Sequence, residues 1–196
     1  MTRILSCWLL ALTWALAPTP AAAASPQTQA ALQALERARS LLEQSQPAQA
    51  YQALQEATLA VWQAMPLTAQ VTLVSRKGTA YGDFTPRADN TFPSRGGRIV
   101  LRLEPAGFSF RPQTNGGWRY GFSVDAYLLD ENGVSLFGRK GILRLERTTR
   151  RRPVRLEAYL TLSLKMAPPG NYTIKLVIHD LGPKPPAEAK IPVILK

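Results

Sequence analysis

Two periods run along this chain, and they change over at Pro66. Before it, apolar residues recur three or four apart: Leu32, Leu35, Ala38 and Leu42, widened by Leu41, then Tyr51, Leu54, Thr58, Val61, Trp62 and Met65. That spacing lines up each set along one face of an α-helix. Ala, Leu, Gln and Glu, all strong helix formers, dominate both stretches. Pro47 suits the first turn of the second helix, Ser45 is placed to cap it, and Pro66 ends it. The pattern predicts a helical hairpin over residues 25–66.

After Pro66 the apolar positions alternate. Val71 and Leu73 begin the series, then Ile99, Leu101 and Leu103, then Trp118, Tyr120, Phe122, Val124, Ala126 and Leu128. Val134 and Leu136 follow a turn at Asp130-Glu131-Asn132-Gly133, a strong hairpin signal. Leu143 and Leu145 mark another strand. Leu156 to Leu164, Tyr172 to Ile178, and Ile191, Val193 and Leu195 complete the set. Seven or eight strands with no helix between them predict an antiparallel immunoglobulin-like β-sandwich over residues 67–196. Pro192 then belongs on an edge, where a missing backbone donor does no harm.

Two stretches carry resemblances. The run LERARSLLEQSQPAQAYQALQEATLAV resembles a single tetratricopeptide-type helical hairpin, on its alternation of Ala and Leu. Repeats of that kind bury their faces against neighbours, and no second copy follows. The apolar faces therefore either pack on the following domain or receive a partner. The first is the expectation, because lone short helices are marginal in water. The C-terminal run APPGNYTIKLVIHDLGPKPPAEAKIPVIL resembles the last hairpin of many bacterial immunoglobulin-like domains, with Pro169, Gly170 and Tyr172 at the turn and strand entry. The resemblance implies a tyrosine ring in the core with its hydroxyl on nearby backbone. The segments YGDFTPRADNTF and EPAGFSF resemble those of uncharacterised exported bacterial proteins.

The first 24 residues change the picture of where this chain works. Arg3, an apolar run from Ile4 to Ala17, and Ala22-Ala23-Ala24 have the layout of a secretory signal with cleavage after Ala24. The run is too short for a membrane span. Export to a periplasm, or secretion, is the expected localisation. Cys7, the single cysteine, falls inside the signal ahead of most of the apolar run, unlike a lipidation cysteine. The mature chain then has no thiol for a disulfide or a metal.

Charge narrows the partners. Lys and Arg number 24 against 13 Asp and Glu, a net +11, and the excess lies beyond residue 66. Anionic envelope surfaces or other envelope proteins are the fitting partners, with no nucleic acid outside the cytoplasm and no membrane span once the signal is removed. Within the excess, Arg147, Arg150, Arg151, Arg152 and Arg155 form a candidate anion-binding hairpin tip between strands at 142–148 and 154–164. The plainer reading is a solvated edge, with Arg144 and Glu146 paired across strands to Glu157 and Arg155. Tyr81, Phe84, Arg87, Phe92 and Phe108 form a candidate ligand-binding surface among loop glycines and prolines; the plainer reading folds those aromatics inward.

Catalytic signals are thin. His179 is the single histidine, read as a surface residue, and no serine sits in a Gly-x-Ser-x-Gly elbow. Asp83, Asp89, Glu104 and Asp125 are available as carboxylates, without a spacing that pairs them. The sequence reads as a non-catalytic periplasmic binding or assembly module without a cofactor. The alternative is a hydrolase of a cell-envelope polymer, which needs Glu104, Asp125 or His179 to converge.

Overall fold

The computed structural model describes residues 25–114, 116–164 and 167–196, so the signal-like segment with Arg3 and Cys7 lies outside the described residues. Two helices come first, α1 (Pro26–Glu43) and α2 (Pro47–Ala64). Ser25 caps α1, its hydroxyl accepting from the Thr28 N–H at 3.2 Å. Pro47 opens α2 as expected, but Ser45 does not cap it. Ser45 instead turns the chain between the helices at φ +57°, a left-handed conformation.

Ten strands follow among the described residues: β1 (Thr68–Lys77), β2 (Phe84–Pro86), β3 (Thr91–Phe92), β4 (Gly97–Ala106), β5 (Arg111–Pro112), β6 (Trp118–Leu129), β7 (Ser135–Thr149), β8 (Ala158–Leu164), β9 (Gly170–Asp180) and β10 (Ala187–Leu195). They form a four-stranded sheet, β2-β1-β4-β8, and a six-stranded sheet, β3-β10-β9-β6-β5. In the second sheet β7 lines the other side of β6. All pairings are antiparallel except a two-residue parallel contact of β3 with β10. The chain is thus mainly β, a sandwich of antiparallel sheets preceded by a helical pair. The strand count exceeds expectation because β2, β3 and β5 are too short to show a period. The two runs around Val134 and Leu143 are one long strand, β7, whose pairing with β6 shifts register between Val124 and Ala126.

Alternation sorts the side chains. Ile99, Leu101 and Leu103 of β4 and Leu160 of β8 face Phe122, Val124 and Ala126 of β6 and Ile174, Leu176 and Ile178 of β9 in one continuous core. β10 closes it with Val193 and Leu195. Pro192 lies where β10 has β9 on one side and no partner strand on the other, since β3 reaches only Ile194 and Leu195. The Tyr172 ring is buried and its hydroxyl donates to the Pro168 carbonyl at 2.9 Å, as the resemblance implied. Asp130 builds the expected turn: its Oδ1 accepts from the N–H groups of Asn132 and Val134, and Gly133 takes φ +79°.

One expectation fails. The basic tip at Arg150 to Arg152 is not a hairpin, because β7 pairs in the six-stranded sheet and β8 in the four-stranded one. Residues 150–157 cross between the sheets. Glu146 therefore pairs with Arg119 and Arg144, and Glu157 with Arg102, in place of the expected cross-strand set.

Candidate functional site

The helices meet through alanines. Ala31, Ala34 and Ala38 of α1 and Ala50, Ala53 and Ala57 of α2 are the buried positions. Alanine orders no side chain and lets two backbones approach closely, so it wins the seam. The expected stripe splits: Ala38 and Trp62 are buried, but Leu32 is 60% exposed and Tyr51 63%, and Leu35, Leu42, Leu54 and Val61 are exposed as well, so the expected packing of that face on the sandwich holds at Trp62 and fails along the leucines.

Their placement follows from helical geometry. Leu32, Leu35 and Leu54 each stand one residue after a buried alanine, and Leu42 and Val61 one turn after. Each is rotated from the seam in the same sense, by about 100° per residue. In an antiparallel pair, equal rotation from the shared seam puts both sets on one side of the hairpin. The other side carries Arg37 of α1, ion-paired to Glu56 of α2, each three residues after a buried alanine. The hairpin thus has a charged flank and an apolar flank, and the apolar flank faces away from any described partner.

A different set of contacts fixes the hairpin to the sandwich. Trp62 enters the core, its ring edge-on to Phe108 at 5.0 Å and its indole N–H donating to the Phe108 carbonyl at 3.0 Å. Lys184, in the β9–β10 connection, gives its ammonium to the carbonyls of Trp62, Gln63 and Met65 at 3.4, 3.1 and 2.6 Å. Those are last-turn carbonyls that the helix leaves unpaired, at the negative end of its dipole. Burial holds the Lys184 pKa below its ordinary value.

The aromatic candidates separate. Phe108, 1% exposed, and Phe92 are core residues and offer no surface. Arg87 lies over the Phe92 ring at 4.4 Å. Tyr81 and Phe84 fold onto the outward face of the four-stranded sheet around Arg102, which is 4% exposed. The Arg102 guanidinium sits 4.3 Å from the Phe84 ring, donates from Nε to Glu157 at 2.9 Å, and binds Glu104 through Nη1. Tyr81 donates to the other Glu104 oxygen at 2.9 Å, and the Gly82 N–H to Glu157 at 3.2 Å. The Arg102 hydrogen bond holds Glu104 below the usual carboxylate range. This network pins the loop between β1 and β2 with every carboxylate occupied. An open groove beside it, about 300 Å³, is lined by Gln70, Tyr81, Glu104, Arg155 and Leu156 among others.

The basic candidates also disperse. Arg152 stacks on Trp118 at 4.7 Å, Arg155 stands near Glu104, and Arg147, Arg150 and Arg151 are exposed at the end of β7 and beyond it. His179 is half exposed and bonds Asp125 through Nε2 at 3.0 Å. Burial opposes ionisation of Asp125, yet the Gly141 N–H and the His179 ring outweigh it and lower its pKa. Glu104 lies on the outer face of one sheet, and Asp125 and His179 on that of the other, so Glu104 does not join the Asp125–His179 pair. Among the described residues no three His, Cys, Asp or Glu gather as metal ligands, and no helix is long and apolar enough to cross a membrane. Sequence reasoning missed Arg102 and Lys184, single basic residues whose partners are distant in the chain.

No family model matches the chain, and no curated protein does. Among solved structures, the chain is similar to the CARDB domain of the PF1109 protein of Pyrococcus furiosus, crystallised in complex with di-metal ions. Identity is 14% and the TM-score 0.32, with 66% of this chain and 94% of that chain covered. A likeness at that level carries no functional information.

Proposed function

We propose that this protein is an exported, non-catalytic binding or assembly module whose helical hairpin presents its apolar flank to another envelope protein. The carrying observation is the exposure of Leu32, Leu35, Leu42, Tyr51, Leu54 and Val61 on one side of a hairpin already fixed by other contacts. Contiguous apolar surface of this kind marks interaction sites on proteins that stay in water. Leucines three and four apart suit an amphipathic helix laid along the hairpin. Glu56 and Arg37 on the opposite flank keep that side wet. The reading as an envelope-polymer hydrolase has the Asp125–His179 pair alone to support it, because Glu104 lies on the outer face of the other sheet.

The test is a photo-crosslinking amino acid placed in the intact protein in its native host. Positions Leu35 and Leu54 should give the same discrete adduct, and Gln33 and Gln52, on the charged side, should give none. Leu32→Glu with Val61→Glu should abolish the adduct while leaving the melting temperature unchanged, because both residues are exposed. A melting temperature that drops sharply in that variant, or equal adducts from all four positions, would sink the proposal. Sedimentation of the purified protein separates a foreign partner from a second copy of this chain.

A further inference from the structure

A second concentration of chemistry lies on the outer face of the six-stranded sheet, away from the helical hairpin's apolar flank. The short β5 pairs with β6 so that Arg111 stands directly opposite Arg119. Like charges in that relation are unfavourable unless something neutralises them. β7, on the other side of β6, adds Arg144 to the same face, next to Arg119 through their shared contact with Glu146. The three arginines line a hollow of about 80 Å³ together with Ser109, Tyr120, Leu181 and Gly182. That is several times the roughly 10–15 Å³ one water requires.

The charges do not balance locally. Glu146 accepts from Arg119 Nε and from Arg144 Nη2, the latter at 3.0 Å. Arg111 has no acidic partner among the described residues. Behind Gly182, Asp180 accepts from the Ser109 N–H at 3.1 Å and its second oxygen is buried without a hydrogen bond. Three arginines thus line the cavity, and Glu146 pairs with two of them. Guanidinium forks held around a small hollow are the geometry that takes an oxyanion through paired N–H donors.

We propose that Arg111, Arg119 and Arg144 form a seat for one tetrahedral oxyanion, a phosphate or sulfate group. Arg111 is its principal donor, because its guanidinium is the one left without a carboxylate. The Ser109 hydroxyl is placed to add a neutral donor at the rim. The site does not depend on the hairpin's role, and either can fail without the other.

Inorganic phosphate titrated into the labelled intact protein, at ionic strength held constant with chloride, tests it by NMR. Saturable shifts are expected at the Ser109 and Gly182 amides and at the arginine Nε–H groups. Arg111→Gln should weaken the affinity by about tenfold or more, and Arg111→Lys by less, since lysine keeps the charge and loses the fork. Arg111 is exposed on a two-residue edge strand, so its replacement should leave the melt unchanged. Arg144→Gln repeats the test should that variant fail to fold. Absence of saturation beyond the chloride control, or equal affinity in the native and Arg111→Gln proteins, overturns the proposal. Phosphatidylcholine vesicles with and without phosphatidic acid then distinguish the source. Retention on phosphatidic acid that needs Arg111 and is displaced by free phosphate supports a lipid headgroup. Phosphate binding without Arg111-dependent retention supports a free anion in the same seat.

Discussion

Trp62 is the residue on which the junction of hairpin and sandwich should turn. It is 7% exposed, packs edge-on against Phe108 and gives its N–H to the Phe108 carbonyl. A tryptophan buries on the order of 150–250 Å², which at about 25 cal/mol per Å² corresponds to roughly 4–6 kcal/mol. Truncation to alanine keeps the β-carbon and lets the site relax, so the expected loss for Trp62→Ala is about 3–5 kcal/mol. In a chain of this size that corresponds to a fall of about 6–20 °C in melting temperature. Trp62→Phe keeps a ring against Phe108 and drops the hydrogen bond, so its loss should be only about 1–2 kcal/mol. Urea unfolding is followed by far-ultraviolet circular dichroism, dominated by the helices, and by tryptophan fluorescence, which reports the sandwich through Trp118 once Trp62 is replaced. In Trp62→Ala the helical signal should be lost at lower urea than the fluorescence change. A Trp62→Ala protein that unfolds at the native midpoint in both signals would refute the role given to this side chain.

Other outcomes follow from named contacts. Arg102→Met should cost about 3–5 kcal/mol, since it leaves Glu104 and Glu157 facing one another without their shared cation, whereas replacing all three by apolar residues should recover most of it. Because Arg102 depresses the Glu104 pKa in the folded state, the stability it gives is fully present above the ordinary glutamate value and is lost as pH falls through the folded one. Urea midpoints measured from neutral pH downward should fall less steeply in Glu104→Gln than in the native protein. Gly107→Ala should cost about 1–3 kcal/mol, because Gly107 holds φ +75° and a β-carbon there would meet the Pro66 carbonyl oxygen at 2.4 Å. The intact mass of protein recovered from a periplasmic extract should correspond to a chain beginning at Ser25; a mass that includes Met1 would overturn the export reading.

The strand alternation was legible because one face of each long strand is in the core, which forces a period of two on β4, β6, β9 and β10. The helical period was legible too, but it pointed to the wrong face. Leucine outweighs alanine on any hydrophobicity scale, so the stripe through Leu32, Leu35 and Leu42 takes in Ala38 but hides Ala31 and Ala34. Close helix approach selects small residues, and that steric demand leaves a weak mark in a hydrophobic pattern. The partner of β7 was illegible for another reason. Val134 to Leu145 shows a broken alternation, since β7 is largely exposed and its register with β6 shifts, so neither burial nor period continues through it. Phe92 and Phe108 stand beside Tyr81 as surface candidates in the sequence because loop composition does not tell an inward ring from an outward one. The grouping of Arg111, Arg119 and Arg144 is set by sheet pairing across three strands, which no spacing along the chain encodes.

The Lys184 clamp also dictates an order of events. The two helices draw on contacts within their own forty residues, and can form as soon as that segment exists. Their attachment is completed only later, because the ammonium that grips Trp62, Gln63 and Met65 belongs to a residue about 120 positions on in the chain. Closing so long a loop is slow compared with forming a helix. Until the β9–β10 connection is in place, the Trp62–Phe108 contact holds the hairpin without the clamp. Its leucines are exposed before that step and after it, so docking of the hairpin hides none of the surface offered to a partner.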